Sequence, residues 1–302
     1  MVDLMRMGIH LPHAGRYATA RGIVDVAVAA EAVGYGSVWL FDHLFTPSHL
    51  DSTYPFAAAG TYPLDPADPY FDPVALMGVL AGVTDRIEFG TRVLIATYRT
   101  PVVLAKELAT IDALAGGRMV LGVGAGWMRE EFDAVGVPFE RRHARLREHV
   151  SVMRAAWSDG VSAHDGEFYE HVEAGFHPSP PRGSIPILLG GYGDMALRRV
   201  AEWADGWAAV VRNEETIKNP HVAVSPDALA ERLDKLRAAC AEVGRPYEDL
   251  RIVAAASPRD DPGVLRAYAD LGVHDCDLMV WGDAARVIDE LRRFADTVGT
   301  EL

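Results

Sequence analysis

Residues 185–210 read IPILLGGYGDMALRRVAEWADGWAAV, and this stretch decides the fold. Ile185–Leu189 is a short apolar run that ends in glycines, Asp194–Ala204 has the apolar spacing of a helix, and Gly206–Val210 is a second apolar run. A strand that is apolar along its whole length suits a parallel sheet, because such a sheet is covered on both faces. The stretch therefore predicts a strand–helix–strand unit whose two strands are parallel.

The same alternation extends along the whole chain. The other predicted strands are Met7–Leu11, Ser37–Phe41, Arg86–Ile95, Arg118–Val123, Leu250–Ala254 and Cys276–Val280. The other predicted helices are Thr19–Val33, a helix that begins near Asp72-Pro73, Pro101–Leu114, Arg141–Trp157, Ala228–Val243, Pro262–Leu271 and Ala284–Ala295.

Eight strands alternating with eight helices predict the α/β class and a (β/α)8 TIM barrel. We expect a single domain over residues 1–302, with an insertion after strand four at approximately residues 127–185. A doubly wound open sheet is the competing fold. It is disfavoured because no GxGxxG turn follows the first strand.

Composition excludes several classes of function. The net charge of −14 repels phosphate backbones, so we expect no nucleic-acid partner. The two cysteines, Cys240 and Cys276, are far apart and form neither a disulfide framework nor a metal-binding spacing. Asp25 and Glu31 interrupt the longest apolar helical stretch. We expect no signal peptide, because Asp3, Arg6 and His10 interrupt the N-terminal segment. We expect a soluble cytoplasmic protein with no membrane partner, and a homodimer is one option for its assembly.

The second predicted strand ends on an acid and a base, within residues 36–43, GSVWLFDH. In a TIM barrel the loops after the strands build the active site, so Asp42 and His43 are candidate catalytic residues. The structural alternative is an Asx turn in which Asp42 binds nearby amides. A zinc hydrolase is disfavoured, because strands five to eight end without a histidine that could complete a ligand set with His10 and His13. No GxSxG nucleophile motif occurs either.

Two glycine-rich strand exits indicate a ligand that carries a phosphate and a flat ring. After strand five, residues 189–194 read LGGYGD and run directly into a helix, whose N-terminal amides can attract phosphate. Asp194 weakens this interpretation if it is the N-cap, and an ordinary glycine turn is the alternative. After strand four, residues 122–127 read GVGAGW and offer a floor of small residues to a flat ring, although Gly124 alone could relieve crowding in the barrel.

Four motifs in order resemble those of the luciferase-like flavin-barrel superfamily, and more narrowly its coenzyme F420-dependent oxidoreductase branch. These are GYGSVWLFDHL, TRVLIATYRTPVVLAKELATIDALAGGRMVLGVGAGW, ERRHARLREHVSVMRAAW and PILLGGYGDMALRRVAEWADGW. The resemblance implies a TIM barrel with an insertion after strand four and a deazaflavin across its C-terminal mouth. It also implies phosphate contacts from the loop after strand five and a non-prolyl cis peptide within Ala96-Thr97-Tyr98.

The resemblance also assigns roles to residues. Asp42 and His43 match the acid–histidine pair that lies beside the hydroxyl ring and reacting centre of the deazaflavin in that branch. His43 would shuttle a proton while hydride moves between the substrate and the cofactor. The expected cofactor-binding residues are Asp42, Ala96, Thr97, Tyr98, Ala125, Gly126, Trp127, Gly190, Gly191, Tyr192, Gly193 and Asp194. The expected substrate-lining residues are His10, Phe45, Tyr54, Phe56 and Trp127, and no metal is expected.

The predicted function is an oxidoreductase that transfers hydride between coenzyme F420 and a small apolar or aromatic substrate. Sugar-phosphate dehydrogenases of the branch place a catalytic glutamate where this chain has Trp127, which argues against a sugar phosphate as substrate. Two alternatives stay open. One is a reduced-FMN-dependent monooxygenase on the same barrel, and the other is a flavin- or deazaflavin-binding barrel without turnover.

Overall fold

The computed structural model describes residues 5–57, 59–158, 161–210, 224–257 and 261–299. The ends of the predicted 1–302 domain therefore lie outside the described residues. The strands are β1 (Arg6–His10), β2 (Ser37–Leu40), β3 (Glu88–Leu94), β4 (Met119–Val123), β5 (Val161–Asp165), β6 (Glu170–Gly175), β7 (Ile187–Gly191), β8 (Gly206–Ala209), β9 (Arg251–Ala256) and β10 (Asp275–Leu278). The helices are α1 (Ala20–Val33), α2 (Pro73–Val83), α3 (Pro101–Leu114), α4 (Arg129–Ala134), α5 (Arg142–Ser158), α6 (Asp194–Trp203), α7 (Pro226–Val243), α8 (Pro262–Asp270) and α9 (Ala284–Val298).

Eight parallel strands close into a barrel in the order β1-β10-β9-β8-β7-β4-β3-β2. The closing pair is β1 with β2, where Ile9 lies opposite Val38. The predicted TIM barrel is therefore confirmed, and the open-sheet alternative is excluded. An apolar layer that includes Trp39, Val120 and Leu188 fills the interior, as expected for a packed rather than hollow barrel.

Local signals explain why several helices begin where they do. The Thr19 side chain accepts a hydrogen bond from the Gly22 amide at 3.1 Å and begins α1. The Asp72 carboxylate accepts one from the Ala75 amide at 2.8 Å, and Pro73 follows at the first helical position of α2. Asp194 does not cap α6. The N-cap residue is Gly193, and it leaves the helix without a side-chain cap.

The insertion after β4 contains more regular structure than the sequence predicts. It holds the short helix α4, the long helix α5 and an antiparallel hairpin of β5 and β6. The hairpin falls where we expected irregular chain, and its strands carry few buried residues. The helix α4 follows β4 directly and therefore lies at the C-terminal end of the barrel.

Ion pairs close the opposite, N-terminal end of the barrel. Asp275 of β10 accepts from Arg251 Nε at 2.7 Å and lies 2.8 Å from Arg6. Glu88 of β3 lies 2.7 Å from Arg6 and 2.8 Å from Arg251. These four charges tie β1, β3, β9 and β10 together at the end remote from the candidate site.

Candidate active site

The C-terminal ends of the strands bring most of the predicted site residues to one mouth. His43 follows β2, the segment 96–98 follows β3, Trp127 follows β4, and the glycines 190–193 lie at the end of β7. This grouping is what parallel strands in a closed barrel require, because all their carboxyl ends face the same side.

His43 has a buried carboxylate partner, but the partner is Glu131 and not Asp42. His43 Nδ1 lies 2.7 Å from Glu131 Oε2, and the Glu131 side chain is fully buried. The same oxygen accepts from the Tyr98 hydroxyl at 2.8 Å, and the Leu44 amide donates to the other oxygen. A carboxylate on Nδ1 fixes the proton there and leaves Nε2 as the basic nitrogen of the ring.

Asp42 forms a structural ion pair with Arg99 and does not pair with His43, which is a correction to the sequence-based expectation. Its carboxylate accepts from Arg99 at 2.8 and 3.2 Å and from the Ile95 amide at 3.0 Å. Burial raises the pKa of Asp42, whereas Arg99 favours the carboxylate. Arg99 also binds Asp72 at 2.7 Å. Because the Asp42 side chain is fully buried, it offers no surface to a ligand, and its place is to join the β2 exit to the start of α2.

Aromatic rings from the segment 44–71 cover the mouth. Tyr54 lies 5.2 Å from Trp127 and 5.5 Å from Phe56, measured between ring centroids. Tyr62, which the sequence did not single out, lies 5.6 Å from Trp127 and 5.0 Å from His43. The structure thus brings together three of the expected wall residues. Phe45 has no ring contact with them within the described part of the chain.

The glycine segment 190–193 differs in detail from the expected loop. Gly190 and Gly191 belong to β7 itself and pair with Ala208 and Ala209. Gly191 has φ +134°, a conformation that side chains rarely adopt. At Gly193, by contrast, an added Cβ would meet nothing within 4 Å. The uncapped N-terminus of α6 therefore faces open space, as an anion site requires.

Arginine and lysine side chains from α7 lie beside this segment. Arg232 donates to Asp194 at 2.8 Å and to the Tyr192 carbonyl at 2.6 Å, and Lys235 lies 3.6 Å from Asp194. These charges lower the pKa of Asp194 and neutralise the carboxylate that would otherwise repel a phosphate. The sequence did not indicate that α7 contributes to this segment.

The non-prolyl cis peptide lies between Arg92 and Val93, not within 96–98 as we expected. Residues 96–98 instead form a 3-10 turn in which the Tyr98 amide donates to the Ile95 carbonyl. The cis bond coincides with a shift of register between β3 and β4. Val93 projects between two glycines, since a Cβ on Gly124 would lie 2.5 Å from it and one on Gly190 2.8 Å. Packing against Val93 is therefore a sufficient reason for both glycines.

Below the aromatic rings, a second carboxylate–histidine contact forms part of the floor. His10 Nε2 lies 2.9 Å from Asp277 Oδ2, and Arg92 donates to the same carboxylate. Arg92 also donates to the Ala209 carbonyl at 2.7 Å. The expected substrate-lining residue His10 is thus held by Asp277, and its ring centroid lies 5.9 Å from that of Phe41.

Several buried polar atoms around the mouth have no hydrogen-bond partner in the part of the chain that the structure describes. Among them are the Thr97, Tyr62 and Tyr70 hydroxyl oxygens. Buried hydroxyl groups are normally paired, so these atoms fit a ligand that carries polar groups. Burial also raises the pKa of Tyr54 to about 12, so that it stays neutral. Across the described ranges, no cluster of three histidine, cysteine or acidic side chains could hold a metal ion.

Comparison with known proteins identifies the family. A family model described as luciferase-like monooxygenase matches residues 5–269. The chain belongs to the luciferase-like monooxygenase family. The predicted superfamily is therefore confirmed, and with it the expectation of an enzyme. Within the residues that the structure describes, no helix is long and apolar enough to cross a membrane.

Individual relatives carry more specific names. An uncharacterized protein of Mycobacterium tuberculosis is 29% identical over 289 residues, which cover 95% of this chain and 96% of the relative. An F420-dependent glucose-6-phosphate dehydrogenase of Amycolatopsis mediterranei is 32% identical over 191 residues, or 62% of this chain and 52% of the relative. Among solved structures, an F420-dependent secondary alcohol dehydrogenase in complex with an F420-acetone adduct superposes with a TM-score of 0.73 at 17% identity, covering 97% of this chain and 99% of the other.

Proposed function

We propose that this chain is an F420-dependent oxidoreductase that transfers hydride between the deazaflavin and a small apolar or aromatic substrate. The observation that carries the proposal is the pair of His43 and Glu131, joined at 2.7 Å at the mouth of a luciferase-like barrel. The F420-dependent relative and the F420-dependent structural neighbour support the choice of cofactor.

The residues at the mouth fit a cofactor with a phosphate and a flat ring. The uncapped N-terminus of α6 at Gly193 would hold the phosphate, with Arg232 beside it. The Thr97 hydroxyl would bind a polar edge of the ring, and Ala125 would lie under it. The bound deazaflavin supplies the hydride donor or acceptor.

In this proposal His43 manages the proton that accompanies the hydride. Glu131 holds the proton on Nδ1, so that Nε2 is free to take a proton from the substrate or to return one. Tyr98 and the Leu44 amide in turn hold Glu131 in place. The arrangement resembles the carboxylate that orients a catalytic histidine in a hydrolase triad, on a different fold and for a different reaction.

The aromatic enclosure favours an apolar substrate. By its resemblance to the branch, the chain has Trp127 where sugar-phosphate dehydrogenases place a glutamate. The Trp127 ring makes edge contacts with Tyr54 and His43 and a tilted contact with Tyr62. Such walls bind apolar surface and provide no charge for a sugar phosphate. We therefore propose a substrate different from that of the glucose-6-phosphate dehydrogenases. Cytoplasmic location, a homodimeric assembly and the absence of a nucleic-acid partner stay predictions from the sequence.

Titration of the purified protein with oxidised F420 and, separately, with FMN tests the proposal by fluorescence quenching. We expect F420 to bind at least tenfold more tightly, a difference of about 1.4 kcal/mol. A tenfold preference for FMN would instead support the flavin monooxygenase. Tight F420 binding without turnover of any apolar ketone or enone in a substrate screen would support the non-catalytic barrel.

A further inference from the structure

The strongest feature outside the His43 site is a cluster of His10, Arg92 and Asp277 at the floor of the mouth. Arg92 of β3 reaches Asp277 of β10 across the barrel interior, and His10 at the end of β1 binds the same carboxylate oxygen at 2.9 Å. The Asp277 side chain is fully buried, and those of His10 and Arg92 are each 7% exposed. In a fully paired cluster every buried polar atom has a hydrogen-bond partner, but that is not the case in this cluster.

Each member of the cluster leaves one buried atom without a hydrogen-bond partner among the described residues. These atoms are His10 Nδ1, Arg92 Nε and Asp277 Oδ1. Native proteins seldom leave buried polar atoms unpaired, and three in one connected cluster indicate a group that binds there. The N-terminal ion pairs of Asp275 with Arg6 and Arg251 lie in the same barrel but are remote from the mouth.

The chemistry of the unpaired atoms specifies the ligand. Arg92 Nε carries a hydrogen and can only donate, so it needs an acceptor such as a carbonyl oxygen. Asp277 Oδ1 belongs to a carboxylate and can only accept, so it needs an N–H or O–H group. Burial raises the pKa of Asp277, but its contacts with His10 and Arg92 outweigh burial and the net shift is downward, so the carboxylate is ionised.

The charges of Arg92 and Asp277 further restrict the class of ligand. One arginine and one carboxylate cancel, so a charged ligand would gain no net attraction and would lose its hydration. A neutral group with a carbonyl beside an N–H satisfies Arg92 Nε and Asp277 Oδ1 at once. We infer that His10, Arg92 and Asp277 form a binding site for a neutral amide or imide edge. The site itself rests on geometry, and its use in catalysis rests on the proposed function.

Two sources offer such an edge. One is the substrate, as an amide on an apolar or aromatic body. The other is the cofactor, because the pyrimidine ring of a deazaflavin carries an imide. Both sources share the same donor and acceptor pattern, and binding measurements on one set of variants distinguish them.

The first arm measures the affinity of three small probes for the protein alone by saturation-transfer NMR titration. Benzamide offers a carbonyl and an N–H, acetophenone offers only the carbonyl, and benzoate is an anion of similar shape. We expect benzamide to bind at least about tenfold more tightly than the other two, because a site built for two hydrogen bonds rejects analogues that lack one. The double variant Arg92→Met/Asp277→Leu should abolish this preference, since it replaces the ion pair with apolar side chains of similar size.

The second arm measures F420 affinity in the same variants. If the imide of the cofactor is the occupant, the double variant binds F420 at least about tenfold more weakly and bound F420 blocks benzamide. If the substrate is the occupant, F420 affinity is unchanged and benzamide still binds beside it. Asp275→Asn is the matched control, because Asp275 lies two residues earlier on β10 at the remote end and should change neither affinity.

A third variant keeps the test decisive if the double variant does not fold. Asp277→Asn presents an N–H₂ group where Oδ1 accepted, so the preference should shift from benzamide towards acetophenone. Equal affinities for the three probes together with unchanged F420 binding would overturn the inference and leave internal water as the partner of these atoms. If the wild-type protein fails to bind F420, the proposed function falls, whereas the benzamide comparison still decides the site.

Discussion

Replacing Glu131 with glutamine tests the proton-handling pair, because it removes one charge while keeping the shape of the side chain. In the wild-type structure one carboxylate accepts three hydrogen bonds, from His43, from Tyr98 and from the Leu44 amide. A glutamine amide accepts only at its oxygen. If that oxygen keeps Leu44, its N–H₂ end faces His43 Nδ1 and favours the imidazole tautomer with the proton on Nε2.

The expected loss of kcat is at least about 10- to 100-fold, the range found when the partner that orients a metal-bound histidine is removed. A hydrogen bond to a charged group contributes about 1.5–3 kcal/mol and a neutral one about 0.5–1.5. Their difference alone is about tenfold in rate, and the wrong tautomer adds to it. The loss of kcat in Glu131→Gln should not exceed the loss in His43→Ala, because His43→Ala removes the imidazole itself.

Two measurements check this prediction. Steady-state absorbance of the deazaflavin gives kcat and KM once a substrate has been found, and we expect kcat to fall while F420 affinity is unchanged. Long-range proton–nitrogen NMR of the His43 ring requires no substrate, and it should show the proton on Nδ1 in wild type and on Nε2 in Glu131→Gln. The matched control is Glu130→Gln, whose carboxylate binds the Asp51 and Ser52 amides at 2.8 and 2.9 Å instead. A folded Glu131→Gln variant with wild-type kcat and an unchanged tautomer would refute the reasoning.

The other predictions concern the same mouth and the buried histidines. His43→Ala should bind F420 nearly normally but slow turnover by about two to four decades, and a chelator should leave wild-type activity unchanged; activity that needs a divalent metal would instead revive the hydrolase. Gly193→Glu should weaken F420 binding at least about tenfold while Gly193→Ala does not, and equal affinities in the two folded variants would move the phosphate site elsewhere. Burial lowers the pKa of His13 and of His149 to about 4, whereas the ordinary value is 6.5, so the unfolded chain takes up protons first. Stability should therefore be complete above about pH 6.5 and fall towards pH 4 by up to about 1.4 kcal/mol per pH unit for each histidine, and urea unfolding midpoints that match at pH 7 and pH 5 would contradict this.

The fold was predictable from sequence because its signals are local. Pro101–Leu114 matches α3 at both ends, since a proline marks the first turn and glycines follow the last. Barrel strands were recognised from their continuous apolar runs, with ends that differ by one or two residues. The β5–β6 hairpin was missed because it lies apart from the barrel and buries little, so it lacks an apolar run.

Glu131 was missed for a physical reason of the same kind. It lies in residues 129–134, REEFDA, which in sequence look like a solvated acidic turn. Only the folded chain shows that Glu130 faces the surface while Glu131 is fully buried against His43. Asp42 shows the converse error. Adjacency to His43 suggested a shared role, but successive residues leaving a strand point in different directions, and Asp42 turns towards Arg99.

The aromatic walls and the paired charges of the mouth therefore differ in how far the sequence predicts them. Its aromatic walls come mainly from the segment 44–71, together with Trp127 after β4, and all of them except Tyr62 were singled out in the sequence. Its charges come in pairs from distant positions, with a sequence separation of 88 from His43 to Glu131 and of 185 from Arg92 to Asp277. A buried charge is costly unless it is paired, so each functional charge needs a partner from another strand or from the insertion. These charge pairs form only when the barrel closes and the insertion packs on it. The pairing of the charges is therefore seen in the structure and not in the sequence.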